Sequence, residues 1–239
     1  MQKSVSHFYN EEFYQRRKFQ FDLAYPSLHR TAEALVARFD PKTVLDIGCA
    51  KGYLVYAFRE LGVEAYGVDM SEYATSQSLP EIRDYLFDAD VDQERLPFSD
   101  EIFDLVSATE ILEHLTNHRF LLSEIRRVLK TKGVAIAAGR RRARVTIRSL
   151  AGTTDFGRLD CNPTHVNRHP AQFWIREFET HGFHYIGDLP KQVAKETLLL
   201  THPLSRSGRL LMRCGAPGRW IRAELAFAIR RKSMLFEKV

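Results

Sequence analysis

The sequence predicts a single α/β domain built on a doubly wound, mostly parallel sheet. Two patterns carry that expectation. Short apolar runs alternate with amphipathic stretches at helical spacing. Strands covered on both faces read as continuous apolar runs, without the alternation of a half-exposed sheet. The first such run also enters a turn of small residues, Gly48-Cys49-Ala50-Lys51-Gly52, as a strand-to-helix connection under a ligand requires. The chain has 239 residues, 44% of them hydrophobic, which suffices for one core of ordinary size.

Residues 1–26 are aromatic-rich and read as an irregular arm or lid ending at Tyr25-Pro26. Ser27 is the expected N-cap of a helix carrying Leu28, Ala32, Leu35, Val36 and Phe39 on one face, stopped by Asp40-Pro41. Thr43–Ile47 reads as the first buried strand, and 53–61 as a helix closed by Gly62. A strand over 65–68 ends at Asp69, and a short helix starts at Ser71. Brief strands follow at 85–87 and 103–107. Residues 117–130 form an amphipathic helix with Gly133 beyond its basic end, and 134–138 a further strand. After Gly139 the pattern loosens. A helix is expected over 173–180, a strand over 185–189, helical patterns over 193–231 and a last strand over 233–238.

The formal charge of +5 hides a split. Residues 1–139 hold 22 acidic and 16 basic side chains, whereas 140–239 hold 8 acidic and 19 basic. The three cysteines, Cys49, Cys161 and Cys214, form no C-x-x-C pair. No Cys/His spacing suggests zinc, so neither a metal site nor a disulfide framework is expected. The polar amino terminus lacks the apolar core of a signal peptide, and no apolar run is long enough to span a bilayer. A reducing, cytoplasmic setting is the default expectation.

The turn after the first strand carries the first chemical signal. In VLDIGCAKGY, Asp46 sits at the strand-to-helix turn with the small residues Gly48, Ala50 and Gly52, which let backbone approach a ligand. Asp69 closes the second strand 21 residues beyond Gly48, where a carboxylate can accept from both hydroxyls of a ribose. A dinucleotide fingerprint would need glycine where Tyr53 stands, and no G-x-x-x-x-G-K-[ST] phosphate loop is present. The site therefore suits an adenosine-like group without a pyrophosphate.

These motifs, taken in order, resemble the class I S-adenosylmethionine-dependent methyltransferases of the small-molecule type. DIGCAKG is similar to the family's acidic-x-Gly-x-Gly-x-Gly turn, with Ala50 in place of the middle glycine. Asp69 matches its ribose-binding acid. DADVDQERLPFSDEIFDLV matches the segment in which an acid, here Asp90 beside Val91, meets the adenine amino group. ATEILEHL matches the stretch that closes over the methionine moiety.

The resemblance implies a Rossmann-like, seven-stranded sheet of order 3-2-1-4-5-7-6, with S-adenosyl-L-methionine as methyl donor. Its contacts would be Asp46, Gly48, Cys49, Ala50, Gly52, Tyr53, Asp69, Met70, Asp90, Val91, Thr109 and Glu110. It divides one domain, 1–239, into the arm (1–26), a cofactor-binding half (27–139) and an acceptor-side half (140–239) with a helical insertion before the last strand. A sulfonium methyl is already electrophilic, so catalysis needs an acceptor held in line and, for a hydroxyl, a base.

His165, in CNPTHVNRHP, is the first candidate for base or acceptor-orienting group; a loop histidine bonding backbone is the plainer alternative. His114, in EILEHL, is the second, set against a capping or core histidine. The expected acceptor is a small molecule methylated on a hydroxyl oxygen, with nitrogen and carbon left open. The basic run from Arg140 to Arg144, with Arg148 beyond, suits an anionic acceptor, although a solvated loop is the commoner meaning of such a run. Two alternatives stand beside this reading: an RNA methyltransferase using 140–148, and a non-catalytic cofactor-binding module. The stripe Ile221, Leu225, Ile229 is read as packing on its own domain in preference to a membrane surface.

Overall fold

The computed structural model describes residues 8–17, 19–138, 164–189 and 233–239. The basic cluster at 140–148, Cys161, Cys214, the helical patterns of 193–231 and the stripe from Ile221 lie outside the described residues. The elements run α1 (Glu11–Arg17), α2 (Phe21–Phe39), β1 (Thr43–Ile47), α3 (Tyr53–Glu60), β2 (Glu64–Asp69) and α4 (Glu72–Ser76). A 3₁₀ turn (Pro80–Tyr85) leads to β3 (Leu86–Asp88). Then come β4 (Phe103–Thr109), a second 3₁₀ turn (Leu112–His114), α5 (His118–Val128), β5 (Leu129–Ala138), α6 (Ala171–Thr180), β6 (Phe183–Asp188) and β7 (Met234–Lys238).

The seven strands form one sheet in the order β3-β2-β1-β4-β5-β7-β6, as expected. The first five strands are parallel, and β7 runs antiparallel between β5 and β6. Alternate residues of the central strands feed two cores. Leu45, Ile47 and Val106 face Leu121, Ile125, Trp174 and Phe178 of α5 and α6. Val44, Ala65 and Leu105 face Ala32, Leu35, Val55 and Phe58 of α2 and α3. Phe178 stacks on Phe236 at 4.0 Å and 7°, tying α6 to the inserted strand. Each buried valine, leucine, isoleucine or phenylalanine among them contributes about 1.5–3 kcal/mol by leaving water.

Two local expectations are corrected. Residues 11–17 and 21–26 are not irregular: the first form α1, and α2 starts at Phe21, six residues before Ser27. Pro26 lies inside α2. Its missing N–H orphans the Asp22 carbonyl, but Pro26 and Asp22 are both exposed, so water can serve that group. Phe21 stacks on Tyr25 at 4.5 Å and meets Tyr53 and Tyr56 edge-on, which anchors the early turn.

The second correction concerns the end of α5. It stops at Val128, and Leu129, read as its last apolar position, begins β5 opposite Phe103. Residues 130–133 are then spent in a bulge, with Lys132 at φ 66°, before Val134 pairs with Leu105. A buried leucine satisfies either period, so spacing alone could not place this boundary.

Candidate active site at the carboxyl edge of the sheet

β1, β2 and β4 end on the same edge of the sheet, where an open α/β fold places its ligands. The turn leaving β1 uses three left-handed residues, Gly48 at φ 79°, Ala50 at φ 50° and Gly52 at φ 72°. At Gly48 a Cβ would lie 3.2 Å from Cδ1 of Ile111, so the segment after β4 closes over this turn. At Gly52 a Cβ would lie 2.6 Å from Ile82 and 2.8 Å from Leu86, so packing as well as φ requires glycine. The Gly48 and Cys49 N–H groups donate to the Val68 carbonyl at 2.8 and 3.1 Å, which docks the turn on β2.

Asp69 pins the turn from the other side. Its Oδ2 accepts from the Ala50 N–H and its Oδ1 from the Ser71 N–H, both at 2.8 Å. The carboxylate keeps lone-pair capacity for a ligand. Burial holds its pKa above the ordinary carboxylate value, opposed by those N–H donors. Asp46 is 6% exposed. Burial pushes its pKa up to about 7, against a Ser107 hydrogen bond that lowers it, with Asp69 adding repulsion. Two neighbouring acids in a dry crevice favour a cationic ligand. Burial likewise pushes the Cys49 thiol up. A Cβ on Gly67 would sit 2.7 Å from its sulfur, so Cys49 is packed against β2. Tyr53 is buried at the start of α3, and Met70 is half-buried after Asp69.

Asp90 is more committed to its own loop than the sequence suggested. Its Oδ1 accepts from the Asp92 N–H and its Oδ2 from the Gln93 side chain. Val91 beside it is buried. Asp92 instead accepts from the N–H groups of Thr116 and Asn117, bracing the entry to α5. Thr109 ends β4, and Glu110 has φ 61°, its N–H on the Ala138 carbonyl at 2.8 Å and its side chain exposed.

The acceptor side is assembled from three distant segments. His114 and His165, 51 residues apart, bring their rings to 4.6 Å. His114 Nδ1 meets the Tyr9 hydroxyl at 2.9 Å, the Thr164 hydroxyl at 2.8 Å and the Thr164 carbonyl at 3.2 Å. Glu113, 1% exposed, is beside them. The donor atoms of Glu113, His114 and His165 all lie within 4.8 Å of one another.

The loop bearing His165 is clamped twice through Asn167. Its N–H donates to the Glu113 carbonyl at 2.9 Å, and its side chain bonds His118 Nδ1 at 3.0 Å. His118 Nε2 faces Glu177, which also takes a two-point contact from Arg119. Because a carboxylate only accepts, Nε2 carries the proton and Nδ1 accepts from the amide. The Arg119 guanidinium holds Glu177 down at about 2, helped by His118.

Sequence reading missed Glu113, Thr164 and the specific part played by Tyr9. Glu113 lies between two residues that were singled out, and Thr164 lies within the quoted CNPTHVNRHP. Tyr9 joins the two sides of the site. Its carbonyl accepts from the Ser71 hydroxyl, the N-cap of α4, while its phenol reaches His114 and Thr164.

Comparison with known proteins bears on the family and the fold. The family model described as a methyltransferase domain matches residues 14–187. Ubiquinone biosynthesis O-methyltransferase of Rhodopseudomonas palustris (strain TIE-1) is 29% identical over 127 residues, 52% of this chain and 49% of that protein. The protein of that name from Glaesserella parasuis serovar 5 is 29% identical over 101 residues, 39% of this chain and 43% of that protein. The chain thus spans about half the length of the curated relatives it matches.

Among solved structures, a putative methyltransferase in complex with the Haloferax volcanii Trm112 activator superposes with a TM-score of 0.65. It is 18% identical, with 93% of each chain covered. The [4+2]-cyclase SpnF superposes at 0.56 and 18% identity, covering 88% of this chain and 81% of its own, so the fold by itself does not fix the reaction. The matched family model, the strand order and the acid-flanked glycine turn agree: the chain belongs to the methyltransferase-domain family, of the class I type that uses S-adenosylmethionine.

Proposed function

We propose that this chain transfers the methyl group of S-adenosylmethionine to a hydroxyl oxygen of a small-molecule acceptor. The observation that carries the reading is the meeting, on one sheet edge, of the acid-flanked glycine turn with the Tyr9, His114 and His165 cluster. The methyl donor fits the first part. Its ammonium and sulfonium are cations, and Asp46, buried, and Asp69, half-buried, are the acids of that crevice. Asp69 keeps lone pairs for ribose hydroxyls, while the left-handed turn lets backbone approach the ligand. Asp90 would contact adenine only by sharing oxygens it already uses in its own turn.

On the acceptor side, the imidazoles of His114 and His165 handle the hydroxyl proton as the oxygen approaches the methyl. The O-methyltransferase name of the curated relatives supports oxygen as the accepting atom. The test supplies S-adenosylmethionine carrying a labelled methyl group to phenolic, carboxylic and phosphorylated acceptor panels and reads the product by mass. Label on oxygen is expected, and label solely on carbon or nitrogen overturns the assignment. His165→Ala should lower turnover at least tenfold while leaving cofactor affinity within about twofold. Full activity in that variant would end its role.

A further inference from the structure

We propose that Glu113, His114 and His165 hold a divalent transition-metal cation, and that the acceptor's hydroxyl oxygen enters its coordination sphere. The inference rests on the methyl-transfer reading and replaces direct proton uptake by the imidazoles with ionisation of a hydroxyl that they hold through the cation. One carboxylate and two imidazoles present ligand atoms within 4.8 Å of one another. They come from two segments, the 3₁₀ turn after β4 and the loop before α6. A backbone bond from Asn167 to the Glu113 carbonyl fastens these segments together. Glu113 and His165 are buried and His114 is half-buried, so the group is largely withdrawn from water.

The donor set points to the kind of ion. Two nitrogens and one oxygen suit zinc, cobalt, iron or manganese better than magnesium, which favours oxygen ligands and water. His114 also carries the outer support of a ligating histidine. With Nδ1–H donating to the Thr164 carbonyl, its Nε2 is the lone-pair nitrogen, and the Tyr9 and Thr164 hydroxyls brace the ring.

Three protein ligands leave at least one position open for water or substrate oxygen. A hydroxyl bound there loses its proton to water more readily than a free one. Its oxygen then forms the new O–C bond as the C–S bond breaks, and that bond's electron pair stays on sulfur as a neutral thioether. The cation is unchanged at the end of the step.

Chelator-treated protein titrated with Co²⁺ tests the site by visible absorption, with Zn²⁺ calorimetry giving stoichiometry. One ion per chain and d–d bands of a nitrogen- and oxygen-ligated cobalt are expected. Glu113→Gln and His165→Ala should each weaken binding about 100-fold or more, and Tyr9→Phe about tenfold. Unfolding curves of the metal-free variants that match the parent separate ligand loss from misfolding. If the parent binds no cobalt or zinc, or if Glu113→Gln binds as the parent does, the metal proposal fails. S-adenosylmethionine affinity is measured on the same samples. If it is retained while cobalt binding is absent, only the metal inference falls; if it is absent from the parent, the methyl-transfer reading falls too.

Discussion

Asp46→Asn probes the cofactor crevice most directly. Asp46 is 6% exposed, and burial pushes its pKa up to about 7. A carboxyl whose folded value lies above its unfolded one, about 3.9, costs stability only where it must ionise. Its contribution is therefore intact below pH about 4 and is lost as pH rises toward 7. At about 1.4 kcal/mol per pH unit, the whole loss is at most about 4 kcal/mol, of which about 2–3 kcal/mol falls between pH 5 and 8.

Urea unfolding of parent and Asp46→Asn across that range reads the difference, because the other titrating groups are shared. The parent should lose about 2–3 kcal/mol more than the variant as pH rises. Parallel pH dependences would refute the argument that Asp46 is a desolvated acid. Ligand binding gives a second readout. At pH 7 roughly half of the free protein carries the Asp46 proton, so an arriving ammonium should release about half a proton per S-adenosylmethionine bound. Calorimetry in buffers of different ionisation enthalpy measures that release, and proton uptake would remove Asp46 as the cation's partner.

Three further outcomes are expected. Asp69→Ala removes the acceptor of the Ala50 and Ser71 N–H groups as well as the ribose contact, and should weaken S-adenosylmethionine by about 30-fold or more in calorimetry. An unchanged affinity would exclude Asp69 from the site. Gly52→Ala drives a methyl into Ile82 and Leu86 at a left-handed position. It should cost about 2–4 kcal/mol in urea unfolding, and a loss below about 0.5 kcal/mol would contradict the packing described. Phe178→Ala breaks the stack on Phe236 and should cost about 3–5 kcal/mol by the same measurement, with S-adenosylmethionine affinity little changed if the protein is kept folded. A loss of affinity with no loss of stability would reverse that assignment.

What could be read from the sequence was mostly local. Thr43–Ile47 and the glycine turn declare themselves because a buried strand and a left-handed connection each restrict residue type over a few positions. Ser71 as N-cap and Gly62 after α3 follow from the same short-range chemistry. Pro26 misled because a helix can carry proline where the orphaned carbonyl faces water, and exposure is set by packing, not by composition. Leu129 misled because burial rewards it equally in helix or strand. The strand order came through family resemblance, since periodicity says nothing of which strands are neighbours. The acceptor side was legible only as separate histidines. Tyr9, Glu113 and Thr164 join His114 and His165 through contacts up to 155 residues apart in the chain, and no local pattern encodes such a meeting. Asp90 shows the converse case, a motif position whose carboxylate is also used by its own turn.

The placement of β7 also bears on how the chain folds. Residues 234–238 lie between β5 and β6, and the Lys238 amine reaches the Leu129 carbonyl, 109 residues away in sequence. Until that segment arrives, β5 presents an open apolar border and β6 has no neighbour in the sheet. Closing so long a loop is slow, and the waiting border can recruit a strand from another chain. Completion of this sheet should therefore be the late event in folding, and the interval in which aggregation competes. A peptide of the β7 sequence, added during refolding, would occupy that gap and act as a timer of its closure.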